Sequence, residues 1–287
     1  MAQRLFSILF VLVGFSIACN LGSLNTEPNV SITSIPIETH TSLPNPTITT
    51  PTQSNPKLEV ISIFEPALGS TITSPITVKG KANSTFEQNL VVLITDEGGN
   101  QLAITPTTIN APLGDRGPYS VTLSYSAGSD QAGRISVYSV SAMTGGLEHL
   151  SSVEVQLIPS GSPIISSDSQ ENESIQILSP KPLASIQGGS VQVSGQSDYY
   201  FESSLGLVLC GAGASGADDE ICGTASNILA TGVAQISSPD IGLPGPFSGT
   251  LSYSVTSQTT GRIVVYATSA RDGGIIHLSS VPVEIMP

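Results

Sequence analysis

Apolar residues alternate with Ser and Thr along short stretches of this chain. Tyr119, Val121, Leu123 and Tyr125 fall on one side, and Ser120, Thr122 and Ser124 on the other. That is the period of a β-strand with one buried face. Residues 58–64, 76–82, 90–95, 135–142 and 150–158 are further predicted strands, each rich in Val, Ile or Leu. Asp96-Glu97-Gly98-Gly99-Asn100 and Thr144-Gly145-Gly146 supply turn residues between them. Beyond the N-terminal leader, no stretch of about ten residues holds a helical period.

The strand pattern occurs twice. Gly114, Gly117, Pro118 and Tyr119 recur as Gly242, Gly245, Pro246 and Phe247, and Leu123-Ser124-Tyr125-Ser126 recurs as Leu251-Ser252-Tyr253-Ser254. Gly133-Arg134-Ile135 recurs as Gly261-Arg262-Ile263, and His149-Leu150-Ser151-Ser152-Val153 as His277-Leu278-Ser279-Ser280-Val281. All share an offset of 128 residues. Upstream the offset falls to 115, from Gly80 to Gly195 and from Phe86-Glu87 to Phe201-Glu202. The difference places an insertion in the second copy between Glu202 and Gly242, the interval that holds Cys210 and Cys222. A unit of about 100 residues is a domain, too long for a solenoid repeat. About six or seven short strands in that length predict a Greek-key sandwich of the wider immunoglobulin-like architecture, without the antibody Cys…Trp…Cys pattern.

Several repeated elements carry a family likeness. Ser74-Pro75-Ile76-Thr77-Val78-Lys79-Gly80 is followed by the aromatic-Glu pair Phe86-Glu87, then by Gly-Pro-aromatic before a strand and a Gly-led strand. This order resembles the bacterial spore-germination immunoglobulin-like domain, over residues 58–158 and 174–286. The second copy departs from it at Gly189-Ser190 and in its Cys-bearing insertion. The resemblance implies an extracellular interaction module without catalytic residues, so the expectation is a protein that is not an enzyme.

Arg4, an apolar run over residues 5–13, and the small residues Gly14, Ser16 and Ala18 lead to Cys19. A positive start, a short apolar segment and a small-residue exit form an export signal, too short for a comfortable membrane span. The end of the leader resembles a bacterial lipoprotein lipobox, with Ser16 where that family usually has Leu. The resemblance implies cleavage before Cys19 and its lipidation, and hence a chain anchored to the outer face of the cell membrane. An ordinary secretory signal is the other reading. Residues 19–56 hold six prolines among many Ser and Thr; such a segment cannot bury enough apolar area to order itself. Stiffened towards polyproline II, it reaches roughly 100 Å. The expected plan is therefore a signal peptide over 1–18, a disordered Thr/Ser/Pro-rich tether over 19–56, a first immunoglobulin-like domain over 57–159, a linker over 160–173 and a second domain over 174–287.

Composition narrows the function. The net charge is -13, with 9 Lys+Arg against 22 Asp+Glu, which leaves no cationic patch for nucleic acid. Cys210 and Cys222 are expected to form a disulfide around a glycine-rich loop, since a pair without two further ligands makes a poor zinc site. Asp218, Asp219 and Glu220 lack the ligand spacing of a calcium loop and read as a solvated acidic turn. Neither a metal nor another cofactor is expected. His149 and His277 are expected to serve the fold, for instance by bonding a turn carbonyl. Glu87 and Glu202 are either carboxylates capping a loop or a shared ligand contact, and Arg134 and Arg262 are their expected partners. Tyr199 and Tyr200, beside Phe201, are candidate binding residues, with core packing as the alternative. The function expected is a non-catalytic surface lipoprotein that contacts cell-wall polymer or an envelope protein. A passive spacer and, more remotely, a secreted hydrolase are the alternatives.

Overall fold

The computed structural model describes residues 57–213 and 219–287. The first copy runs β1 (Ile61–Glu65), β2 (Thr71–Ile72), β3 (Ile76–Ala82), β4 (Asn89–Thr95), β5 (Gln101–Thr108), β6 (Gly117–Leu123), β7 (Gln131–Val140) and β8 (Leu147–Leu157). The second repeats that order as β9 (Ile175–Ser179), β10 (Ala184–Ile186), β11 (Ser190–Ser197), β12 (Ser204–Ala212), β13 (Ser226–Ile236), β14 (Gly245–Ser252), β15 (Thr259–Thr268) and β16 (Ile275–Ile285). In the first copy, β1-β3-β6 form one sheet and β5-β4-β7-β8 lie on the other, with β2 pairing parallel to β8. The second copy keeps the corresponding pairings, with β10 parallel to β16, but adds one: β13 also pairs with β14, so β15-β12-β13-β14-β11-β9 run on as one continuous sheet that folds over itself. Two antiparallel layers joined in this order are an immunoglobulin-like sandwich.

Alternation builds each core. Along β3, Ile76, Val78, Gly80 and Ala82 turn inward while Lys79 and Lys81 stay outside. Ile61, Leu90, Val92, Tyr119, Leu123, Ile135 and Leu157 complete the first core; Val193, Leu205, Leu207, Phe247, Leu251, Ile263 and Ile285 belong to the second. Burying each such side chain contributes roughly 1.5–3 kcal/mol. The repeated glycine of β3 and β11 has a packing cause. Gly80 lies opposite Tyr119, whose hydroxyl donates to Ser62 O at 3.1 Å, and Gly195 lies opposite Phe247. A Cβ at either glycine would drive into that ring and into neighbouring backbone.

Two strands escape the hydrophobic pattern. β5 is an edge strand with both faces largely open to solvent and Pro106 within it, so its sequence shows no buried stripe. β2 is only two residues long.

The two sandwiches meet along their last strands. Leu150 pairs with Leu278, its own counterpart, and Ser151 pairs with His277, so the sheets of the two copies run into one another through β8 and β16. Ser152 Oγ donates to Ile276 O and Ser280 Oγ to Glu148 O, both at 2.7 Å. The same pairing rule holds at the entry to each copy. Leu58 bridges Asn172, Glu59 N donates to Glu171 O at 2.8 Å and Glu173 N to Lys57 O at 2.9 Å. Each contact has a mate related by a local two-fold axis, as in an isologous dimer interface. A third apolar cluster, with Leu147, Leu150, Val208, Val264 and Leu278, fills the junction.

The stretch between β8 and β9 does not cross open space. Thr71 and Ile164 exchange two backbone hydrogen bonds, Ala67 N donates to Ser166 O and Asp168 N to Phe64 O. Arg116 fastens it further, donating to Glu171 at 2.9 Å, to Ser62 Oγ at 3.0 Å and to Glu59 O at 2.7 Å.

Candidate functional site

Strand pairing shows which residues of the two copies correspond at the start of each sandwich. Ile61 pairs with Ala82 as Ile175 pairs with Ser197, and Ile63 with Gly80 as Ile177 with Gly195. Glu59, two residues before Ile61, therefore corresponds to Glu173, two residues before Ile175. The two-fold brings both carboxylates to the histidines of the last strands, because Glu59–Glu171 and Leu150–Leu278 pairings lie on the same axis.

The result is a doubled Glu-His-Ser cluster between the sandwiches. Glu59 Oε1 meets His149 Nε2 in a very short contact and accepts from Ser151 Oγ at 3.1 Å. In the second copy, Glu173 Oε1 lies 3.4 Å from His277 Nε2 and accepts from Ser279 Oγ at 2.7 Å. The halves touch: the His149 and His277 rings sit edge to face with centroids 5.2 Å apart, and His277 Nε2 is 3.8 Å from Glu59 Oε2. Ser174 N donates to Glu59 Oε2 at 3.1 Å. Glu59, His149 and His277 are buried, and the Glu173 side chain is 1% exposed. Among the described residues, Glu173 Oε2 has no hydrogen-bond partner.

Charges in the cluster answer one another. Burial would push the Glu59 carboxyl up, but the His277 charge, the His149 hydrogen bond and the Ser174 N–H hold it at about 2. Burial would lower His277, yet the carboxylates of Glu59 and Glu173 carry it above its ordinary value.

Serine, histidine and carboxylate together raise the question of nucleophilic catalysis. A triad needs the acid on one ring nitrogen and the serine on the other. Here Glu59 Oε1 and Ser151 Oγ both face Nε2 of His149. The carboxylate occupies the position from which that nitrogen would take the serine proton. The arrangement binds the buried carboxylate to the imidazole and does not activate Ser151.

A cleft of about 820 Å³ opens between the copies above this cluster. Glu59 and His277 lie in its wall, with Tyr200, Phe201, Asp168, Asp198 and Arg271 around it.

The two ends of the junction differ. At one, Arg134, 3% exposed, donates from Nε to Glu154 at 2.8 Å and from Nη2 to both oxygens of Asp272 at 3.0 Å. Arg271 joins the same Glu154 and Asp272. Burial would raise the Asp272 carboxyl, but the Arg134 hydrogen bond, the Gly274 N–H and the Arg134 charge hold it at about 2. At the other end, Cys210 and Cys222 form a disulfide with Cα atoms 5.5 Å apart. Residues 219–223, beside the disulfide, lie against the first copy: Leu147 N donates to Glu220 O, Gly145 bridges Gly223, and Gly146 is packed on the Cys222 backbone.

Several sequence expectations change here. His149 and His277 bond carboxylates and not turn carbonyls. Arg134 pairs with Glu154 and Asp272, and Arg262 lies 3.4 Å from Glu148, so neither meets Glu87 or Glu202. Glu87 and Glu202 occupy left-handed backbone, φ 52 and 56, in exposed single 3-10 turns that open β4 and β12. The residue that ties the first of these turns down is Gln88, whose amide donates to Ala111 O and Pro112 O. Tyr199 and Tyr200 are both half-buried; Tyr200 packs on the second core and burial raises its phenol, while Phe201 is exposed. Asp219 Oδ1 accepts from Cys222 N at 2.6 Å, as a turn-capping carboxylate does. Cys19, the tether and Asp218 lie outside the described residues. Among those described, no helix is long and apolar enough to cross a membrane.

Sequence reasoning missed Glu59 and Glu173. Their correspondence is displaced by one residue from the neighbouring repeat offset, and neither stands in a repeated motif. The paired histidines were the available signal.

No curated protein matches the chain. Among solved structures it is similar to red sea bream transglutaminase at 10% identity and a TM-score of 0.24, over 80% of this chain and 32% of that one. A dimeric latent PorU from Porphyromonas gingivalis gives 10% and 0.22, over 79% of this chain and 24% of that one. The C-terminal domain of the Streptococcus pyogenes antigen I/II-family protein AspA gives 8% and 0.21, over 78% and 99%. The chain thus spans 32% and 24% of the length of the first two, and likenesses this slight say nothing of activity. Residues 60–146 match the family model of the immunoglobulin-like domain of bacterial spore germination, a match that takes in β1 to β7 of the first sandwich.

Proposed function

We propose that this chain is an exported, non-catalytic binding protein, held to the outer face of a bacterial membrane through Cys19. Its two sandwiches act as one body and offer the cleft between them to cell-wall polymer. The observation that carries this reading is the cleft itself. Its walls come from both copies, are pinned by strand pairing, a disulfide and a buried ion network, and present Phe201 and Tyr200 beside carboxylate and amide side chains. Aromatic faces with polar groups around them suit a hydroxyl-rich polymer, which stacks and hydrogen-bonds at once. The Pro-rich segment over 19–56 supplies the reach from membrane to wall.

Cosedimentation of the chain with isolated cell walls tests the cleft. Wild type is expected in the pellet and Phe201→Ala is expected to be depleted from it severalfold. Equal retention of both removes the cleft from the reading. Capture of an envelope protein with no wall binding replaces the polymer. Incorporation of labelled palmitate by wild type but not by Cys19→Ser tests the anchor separately.

A further inference from the structure

We infer that Glu59, His149, Glu173 and His277 form a binding site for one divalent transition-metal ion of the Zn²⁺ class, set on the two-fold axis between the sandwiches. The four side chains each offer a ligand atom, and these atoms all lie within 4.8 Å of one another. A tetrahedral zinc with ligands near 2.0–2.1 Å has edges of about 3.3 Å. His277 Nε2 is already 3.4 Å from Glu173 Oε1 and 3.8 Å from Glu59 Oε2. An ion at the centre would separate the short Glu59–His149 contact and draw in the wider pairs, which are all within 4.8 Å.

Three further observations point to an ion and not merely to paired charges. Glu173 Oε2 is a buried carboxylate oxygen with no partner, a costly state unless something positive meets it. His277 Nε2 makes only a long hydrogen bond of 3.4 Å to Glu173 Oε1 and stands 3.8 Å from Glu59 Oε2, so the nitrogen sits between two carboxylates and close to neither. The outer groups are in place as well. Ser151 Oγ and Ser174 N orient Glu59, and Ser279 Oγ orients Glu173, the kind of support that fixes ligands around a metal. Glu59 and His277 line the cleft, which gives the ion a path in.

Donor chemistry sets the class. Two imidazole nitrogens with two carboxylate oxygens suit zinc, nickel, copper or iron(II), whereas calcium and magnesium prefer all-oxygen shells. Charge agrees, since two carboxylates and two neutral imidazoles balance a dication. Because each copy gives one Glu and one His, the ion bridges the sandwiches. It would act as a cross-link at the centre of the junction, with both ends already fastened.

The test uses the full chain, stripped with a chelator and returned to Zn²⁺, Ca²⁺ or Mg²⁺ by equilibrium dialysis. One Zn²⁺ per chain is expected, with a higher melting temperature in Zn²⁺ and no such gain in Ca²⁺ or Mg²⁺. Glu173→Gln keeps the shape and the acceptor for Ser279, so it is expected to fold as wild type while binding Zn²⁺ roughly 10-fold or more weakly. His277→Gln is expected to abolish stoichiometric binding. Two results overturn the inference: a wild-type chain that retains no Zn²⁺ after dialysis, leaving plain Glu–His ion pairs, or Zn²⁺ bound equally by wild type and Glu173→Gln, which places the ion elsewhere.

Discussion

At one end of the junction Arg134, Glu154, Arg271 and Asp272 hold the copies together by charge, and at the other residues 219–223 of the second copy, beside the Cys210–Cys222 disulfide, lie on the β7–β8 turn of the first. The two ends are related by the same axis that makes the centre symmetric, so their difference comes from particular replacements. Asp272 corresponds to Thr144 and Glu154 to Pro282. Without those carboxylates Arg262, among the described residues, keeps Glu148 at 3.4 Å and has no partner for its buried Nε. In place of an ion network this end carries the insertion, which packs Ile221 and the disulfide against Leu147 and Tyr138. Where the first copy needs only the short turn at Gly99 to reach Asp272, the second uses a longer, covalently closed loop. A duplicated domain has thus kept its pairing edge and rebuilt each end with different chemistry.

The largest effect expected from breaking this contrast is at the ionic end. Asp272→Ala removes the carboxylate that takes both Nη2 bonds of the buried Arg134 and leaves it Glu154 alone, which should cost about 3 kcal/mol in urea denaturation. A loss no greater than that of an exposed substitution would mean Glu154 alone satisfies Arg134. Replacing both Cys210 and Cys222 by Ser releases the loop and should cost about 3 kcal/mol by loop-closure entropy. The lost protection should appear by hydrogen exchange at Leu147 and Gly146 on the first copy, and confinement of the change to the loop would show that it clamps nothing.

Acid gives the smallest and most selective of these perturbations. Asp272 is held at about 2 against burial by Arg134 and Gly274, with Arg271 and Glu154 also beside it. Its folded pKa is depressed, so its contribution is complete above its ordinary range near 3.8 and is lost as pH falls through about 2. The stability of wild type should therefore fall between about pH 4 and 2 more steeply than that of Asp272→Asn. Parallel curves would place the acid sensitivity in other carboxylates.

Much of this architecture was legible in the residues. Alternation in 76–82 and 119–125 marked strands because their inner faces are buried on one side only, and Gly80 and Gly195 were flagged by repetition before their close approach to Tyr119 and Phe247 was visible. The junction was less legible. Ser152 and Ser280 look like ordinary strand serines, and only their cross-copy bonds to Ile276 O and Glu148 O give them a role. Arg134 and Arg262 are identical in motif but differ in partner, because the partners come from unrepeated positions. Glu87 and Glu202, conspicuous in sequence, are exposed turn residues whose recurrence goes with a shared left-handed backbone shape.

The Leu150–Leu278 pairing also limits how such domains can multiply. A head-to-tail contact leaves a free surface at each end and admits any number of copies, like beads on a string. A two-fold contact consumes the same edge on both members and closes after two. A third copy spliced onto this chain would find that strand already taken, leaving its own last strand as an open edge prone to pair with other molecules. Growth by this contact would have to proceed in even numbers, each pair a finished unit joined to the next by linker alone.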